Sequence, residues 1–134
     1  MIQPLFALGD YGILVLRIIL GIILVNHGLP KLRHLKGTGD WMASIGFKPG
    51  RFWAAVVGIL EFIGGILLVA GFFAQIVSVL VALQFLAILL IVKRSKKLAG
   101  GFEFDFLILG AAVLLATTGG GAYGLDEYLG ILLY

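Results

Sequence analysis

Cysteine is absent from this chain, charge is scarce, and histidine occurs only twice. Without a thiol, the chain by itself can hold no disulfide, no thiolate metal site, no iron–sulfur cluster and no thiol–disulfide relay. Haem held between two histidines is also a poor fit. His34 follows Pro30 in a loop rather than lying on a span opposite His27, so only a dimer could bring two copies of His27 together. No Gly-rich phosphate loop followed by Lys-Ser/Thr, no HExxH and no nucleophile elbow occurs. The GxG pieces at 37–39 and 119–121 are loop glycines. Met1 to Gly9 carries no basic residue, so a cleavable leader is not expected and the first apolar run should be retained.

What is present is apolar. Hydrophobic residues make up 61% of the 134 and charged residues 13%, against roughly a quarter charged in soluble domains. A single soluble domain of this size could not bury that surface, so lipid must be its solvent. A crossing needs about 20 apolar helical residues. Four runs qualify, at about 11–29, 52–71, 74–92 and 102–118. The expectation is an all-α, integral membrane four-helix bundle forming one domain over 1–134. Pro30 is expected to end the first span. In the first loop, Thr38-Gly-Asp40 before Trp41–Ile45 and Gly46 reads as a cap, one apolar turn and a stop, hence a short interfacial helix. Phe72 and Phe73 make a tight hairpin between spans two and three. After span four the glycines of GGGAYGLDEY break the helix, and Leu125–Tyr134 is too short to cross and is expected to lie along the surface.

Nine of the ten Lys and Arg residues fall in the two loops 30–51 and 93–101, with Arg17 the exception. Both loops lie on one side of a four-span chain, and the positive-inside bias makes that side cytoplasmic. Both termini are then extracytoplasmic, in a cytoplasmic (inner) membrane. The net charge of +3 is explained by anionic headgroups beside these loops rather than by nucleic acid.

A charge at the bilayer centre costs roughly 2.5–3.5 kcal/mol or more and needs a partner or a wet cavity. Counted from Tyr11 and Gly71, Arg17 and Glu61 sit about 9 and about 15 Å below the outer boundary, so they are expected to pair. Arg17 could instead pair with Asp10. Arg17, Gly21, Leu24 and Gly28 share one face of span one, and Ala54, Gly58, Glu61 and Gly65 one face of span two. Small residues there mark packed faces. A structural ion pair and a polar ligand site both fit. Asn26 and His27 close span one while Glu103 and Asp105 open span four, so these four are expected to converge in a pocket near the basic loops. His27 there could transfer a proton or donate to a quinone, or merely satisfy a loop carbonyl or carboxylate. First-turn carboxylates are also favoured by the helix dipole alone. Gln84, the one strongly polar side chain in the middle of span three, is expected to hydrogen-bond across the bundle. No metal site is expected.

Taken in order, LRIILGIILVNHGLPKL, SIGFKPGRFWAAVVGILEFIGGILLVAGFF, GGFEFDFLIL and GGGAYGLDE resemble the DoxX family of small four-helix membrane proteins over nearly the whole chain. Carried over position by position, the resemblance marks Arg17, Gly21, Gly28, Lys31, Glu61, Gly65, Gly71, Glu103 and Asp126. Gly120 and Gly124 stand where the family's closing motif has proline and serine, and Gln75 where a basic residue is common. The resemblance implies membrane redox chemistry. Some relatives are subunits of thiosulfate:quinone oxidoreductase or terminal oxidase systems, and others join membrane complexes that control oxidative stress.

Three functions follow as expectations. The first is an accessory subunit of a quinone-linked oxidoreductase complex, with Arg17, Glu61, His27, Asn26, Glu103 and Gln84 around a polar pocket. Quinone is the one cofactor class in view, and no cofactor is fixed by the residues. The second is a non-enzymatic scaffold or binding protein whose buried charges set helix register. The third is a small proton or solute transporter. Protein subunits of a membrane complex or further copies of the chain are the expected partners, beside the bilayer itself.

Overall fold

The computed structural model describes residues 5–94 and 96–131, and every element among them is helical. A short lead-in, Phe6–Leu8, runs into α1 (Gly9–Arg33), followed by α2 (Leu35–Ser44), α3 (Gly50–Ala70), α4 (Ala74–Ala87), α5 (Glu103–Thr118) and α6 (Leu125–Leu129). A wider helical turn at Ile88–Val92 extends α4, and another at Leu98–Phe102 leads into α5. With these extensions, four helices are long and apolar enough to cross a membrane. Val, Ile, Leu and Phe side chains line the outside of the bundle, half-exposed where lipid would lie.

α1 packs chiefly on α3, and α4 on α5. The α1–α3 contact depends on glycine. Gly21 lies against the Gly65 carbonyl, with 2.6 Å left for a side-chain carbon, and Gly28 lies against the backbone of Gly58 and Phe62. A methyl group on either would push the backbones apart. The expected packing residues Gly21, Gly28, Gly58 and Gly65 therefore all lie in this seam. Leu20, Leu24, Leu68, Val81, Phe85, Ile108 and Leu115 fill the core between the four long helices.

Pro30 does not end the first helix. α1 continues to Arg33, and the break comes at His34 (φ −120°, ψ 45°). Proline in a helix interior costs about 3 kcal/mol, and tertiary packing offsets it here. Leu32 packs where Gly58 has no side chain, and Lys31 pairs with Glu61. For the same reason α2 needs no new start. It begins at Leu35 with no side-chain cap, before the Thr38 and Asp40 expected to cap it. Gly46, at φ +101°, follows the end of this helix. Gly39 and Gly50 allow α2 to lie directly on the start of α3.

α3 ends at Gly71 (φ +70°), where Gly71 N–H donates to Leu68 O and Phe72 N–H to Leu67 O. After α5, Gly119 and Gly121, both at positive φ, turn the chain back toward the bundle. α6 docks there rather than lying loose on the surface, because Asp126 is buried. The last residues of the expected surface segment, 132–134, lie outside the described residues.

Candidate functional site

Two polar centres are buried in this bundle, one at each end. The terminal end carries the hairpin, the start of α1 and the chain's last helix, and Arg17 is 2% exposed there. Its Nη1 donates to Gly120 O at 2.9 Å and its Nη2 to Tyr123 O at 3.2 Å. Gly71 presses so closely on the guanidinium that no side chain could replace its hydrogen. Beside it, Asp126 accepts hydrogen bonds from Phe73 N–H (2.7 Å) and Ala74 N–H (2.8 Å). Asp126 N–H in turn donates to Gly71 O. A carboxylate from the tail thus caps the start of α4, which has no local cap of its own. The cationic side chain and the glycine-rich tail close this end.

The expected Arg17–Glu61 pair is not formed. α1 and α3 run antiparallel with Arg17 level with Gly71, Gly21 with Gly65 and Val69, and Gly28 with Gly58 to Phe62. Glu61 is ten residues from Gly71 along α3, about 15 Å deeper than Arg17. The first two turns of α1 project past the end of α3. There Gly121 rests on Ile13, and Ala122 N–H donates to Asp10 at 3.4 Å. Matching Tyr11 with Gly71 at one boundary was the error. The alternative Arg17–Asp10 pair is not formed either.

The basic end is arranged differently. Glu61, 1% exposed, pairs through Oε2 with Lys31 Nζ and accepts through Oε1 from Gln84 Nε2 at 2.5 Å. α1, α3 and α4 each supply one member. Gln84 does bond across the bundle, and its own Oε1 is buried without a donor among the described residues. These three line a cavity of about 430 Å³, within the roughly 300–1,000 Å³ of small-molecule sites. Trp41, Phe47 and Trp53 form an aromatic wall, with Phe47 and Trp53 edge to face at 5.8 Å. Val56, Val57, Leu60, Ala87 and Ile88 make the remainder apolar, and Lys93 and Asp105, 3.5 Å apart, also line it.

The expected cluster of Asn26, His27, Glu103 and Asp105 does not form. Asn26 is exposed on the outer side of α1 and, among the described residues, bonds only to Ile22 O of its own helix. His27, also exposed, stacks on Phe104 at 5.6 Å. Glu103 turns back to accept from Gly100 N–H and stays exposed. Asp105 alone reaches the cavity. Helix phase separates them, since consecutive residues on α1 diverge by about 100°. Among the described residues, no group of three or more His, Asp and Glu could hold a metal ion.

Comparison with known proteins places the chain by sequence. The family model for DoxX matches residues 12–94, from the first turn of α1 to the end of the α4 extension. The chain belongs to the DoxX family. It is 38% identical over 120 residues to "Putative oxidoreductase CatD" of Bacillus subtilis, covering 90% of this chain and 88% of the relative. Inner membrane protein YqjF of Escherichia coli is 33% identical over 126 residues, covering 91% and 95%. Inner membrane protein YphA of the same organism is 32% identical over 123 residues, covering 86% and 88%. No solved structure matches. The DoxX match takes in Arg17, Lys31, Glu61, Gln84 and Lys93, and leaves Asp105 and the tail residues Gly120, Tyr123 and Asp126 outside it.

Lys31 is the site residue that reading by spans missed as a pairing partner. It continues the stripe Arg17, Gly21, Leu24, Gly28 by three more residues, a signal hidden by ending the helix at Pro30. The aromatic wall was missed as well, because Trp41 and Phe47 fall in the first loop and Trp53 in the second span, and only the fold of α2 over α3 brings them together.

Proposed function

We propose that this chain is a cytoplasmic-membrane subunit of a quinone-linked oxidoreductase complex, and that the cavity at its basic end takes the quinone headgroup. One observation carries the reading. A buried carboxylate is held between an ammonium and an amide in the lining of a mostly apolar, aromatic-walled cavity. Apolar walls with a few convergent polar groups are the usual make-up of a small-molecule site. Lys31 Nζ and Gln84 Nε2 are donors suited to ring carbonyl oxygens, and Glu61 is a carboxylate able to hold a proton beside them. The flat ring fits between aromatic faces. The name of the Bacillus subtilis relative supports oxidoreductase chemistry, and the two Escherichia coli names support an inner-membrane location.

The two tryptophans of the chain both line the cavity, so intrinsic fluorescence reports on its occupancy. Titrating the purified chain in lipid nanodiscs with a short-tailed benzoquinone or naphthoquinone should give saturable quenching. Glu61→Gln and Lys31→Ala should each weaken it about tenfold, the loss of one charge-assisted hydrogen bond. Linear quenching, identical in all variants, would reject the reading and leave the scaffold reading. That alternative is favoured by the Arg17 centre, whose two hydrogen bonds both go to the protein's own backbone while its Nε has no partner among the described residues.

The orientation belongs to the same proposal, with the basic loops cytoplasmic and both termini outside. In this cysteine-free chain, an impermeant thiol reagent on intact cells should label Tyr128→Cys, on the exposed side of the tail, and leave Lys36→Cys unlabelled. The reverse pattern inverts the topology.

A further inference from the structure

The side chain that the structure removes from the pocket points to a different role. Asn26 lies on the lipid-facing side of α1, five residues past the midpoint Gly21 of a 25-residue helix, hence only about 7–8 Å from its centre. The amide donates one N–H to Ile22 O at 2.9 Å. Its second N–H and its carbonyl oxygen have no partner among the described residues. Hydrocarbon cannot provide one, and an unpaired amide there is costly.

We infer that the α1–α3 outer face docks a second copy of this chain, with Asn26 of each copy at the contact. Three observations support that occupant. First, Asn26 borders a shallow groove of about 330 Å³ between α1 and α3, walled by Ile22, Val25, Ile66, Val69 and Ala70. The groove supplies a recess beside the polar group, with Ile22 standing as a ridge along it. Second, the exposed residues flanking it are β-branched, namely Val15, Ile19 and Ile22 on α1 and Ile59, Ile63, Ile66 and Val69 on α3. The exposed side of α4 and α5 also carries Ile76, Val79 and Val113, but Leu and Phe predominate there, such as Leu83, Leu86, Phe106 and Leu107. Rigid Val and Ile lose little rotamer freedom on packing, so they suit protein contact where Leu suits lipid.

Third, the polarity of the face complements itself. It carries no charge, so it offers nothing to a charged partner. Its one polar group is an amide, which is both donor and acceptor and can pair with its own image. Copies inserted with the same orientation are related by a two-fold axis along the membrane normal, and such an interface places one patch against itself. The inference does not depend on quinone binding, because Asn26 and the cavity are on different faces of the bundle.

The test uses the full chain in native membranes. Ile22→Cys should cross-link under mild oxidation several-fold more than Leu83→Cys on α4. Placing Asn26→Leu in the Ile22→Cys background should weaken association about 3- to 30-fold, the range for one interhelical polar contact in a membrane. Asn26 is exposed, so the monomer should fold unchanged, and thermal unfolding of the variant checks this. Cross-linking at Ile22→Cys no greater than at Leu83→Cys overturns the inference. So does cross-linking that Asn26→Leu leaves undiminished, which would mean that the amide is not at the contact.

Discussion

The two ends of the bundle bury the same kind of residue with opposite results. At the terminal end Arg17 is wrapped by the carbonyls of Gly120 and Tyr123, with Gly71 against it and Asp126 close by. At the basic end Glu61 is as deeply buried, but its partner Lys31 keeps a quarter of its side-chain surface exposed, and both face empty volume. A buried charge enclosed by backbone is a fastener. A buried charge pair with space beside it can exchange partners. The contrast separates structure from function more cleanly than charge or burial alone.

The largest effect should come from breaking the fastener. Arg17→Ala strands the buried Gly120 carbonyl and the partly buried Tyr123 carbonyl, and leaves the Asp126 carboxylate without its nearby cation. Loss of one partner of a buried charge network costs about 3–5 kcal/mol, read as unfolding by SDS titration in mixed micelles. Arg17→Lys should recover little, since a point-like ammonium cannot span both carbonyls as the planar guanidinium does. Full stability in Arg17→Lys would mean that only the charge matters and that the geometry described here is incidental.

The lock also shows where reading the chain from its residues stops. Arg17 was marked as buried and unusual from its place in an apolar run, and the glycine seam of α1 and α3 was visible from its spacing. The partners of Arg17 were not visible, because they are main-chain carbonyls of a glycine-rich tail and no side chain announces them. Asp126 was marked by family resemblance, without its role as the cap of α4. At the other end, Glu61 and Gln84 stood out as polar residues in apolar helices. Their link through Lys31 was hidden by one local rule. Proline does usually end a helix, and here packing of Leu32 on Gly58 overrides it. The cavity depends on how α2 folds back over α3, a contact between distant segments that no periodicity encodes.

A smaller effect is expected one contact further out. Asp126→Ala removes two hydrogen bonds to the first N–H groups of α4. Bonds to a charged acceptor contribute about 1.5–3 kcal/mol, and a lost cap costs typically about 1, so a loss of about 2–3 kcal/mol is expected. Hydrogen exchange should accelerate first at Phe73 and Ala74. Uniform acceleration across all helices would mean that the cap acts on the whole bundle rather than on the hairpin.

Glu61→Gln should cost less than either, about 1–2 kcal/mol. The glutamine keeps a hydrogen-bonding shape, and the orphaned Lys31 ammonium, a quarter exposed, can take water from the cavity. This comparison is the sharpest test of the contrast. If Glu61→Gln destabilises as strongly as Arg17→Ala, the basic end is a second fastener and the cavity is a by-product of packing. If stability is nearly kept while quinone-dependent quenching is lost, the two ends are separated as proposed.

The smallest effect belongs to Lys93. It sits 3.5 Å from Asp105 and donates to Gly101 O at 3.2 Å, with about a third of its side chain exposed. Exposed and partly exposed pairs contribute about 0–1 kcal/mol, less in salt. Lys93→Ala should therefore change unfolding by under about 1 kcal/mol, and raised ionic strength should erase even that difference. Its position on the cavity lining makes occupancy the more informative readout. Lys93 is nine residues beyond Gln84 on the same extended helix, about 13 Å along the axis, too far for its ammonium to share one small ring with Glu61. Quenching affinity should fall by less than about threefold, the expected size for a remote charge. A loss as large as that of Lys31→Ala would place the ligand at the Lys93–Asp105 end instead, and would transfer the working residues from α3 to α5.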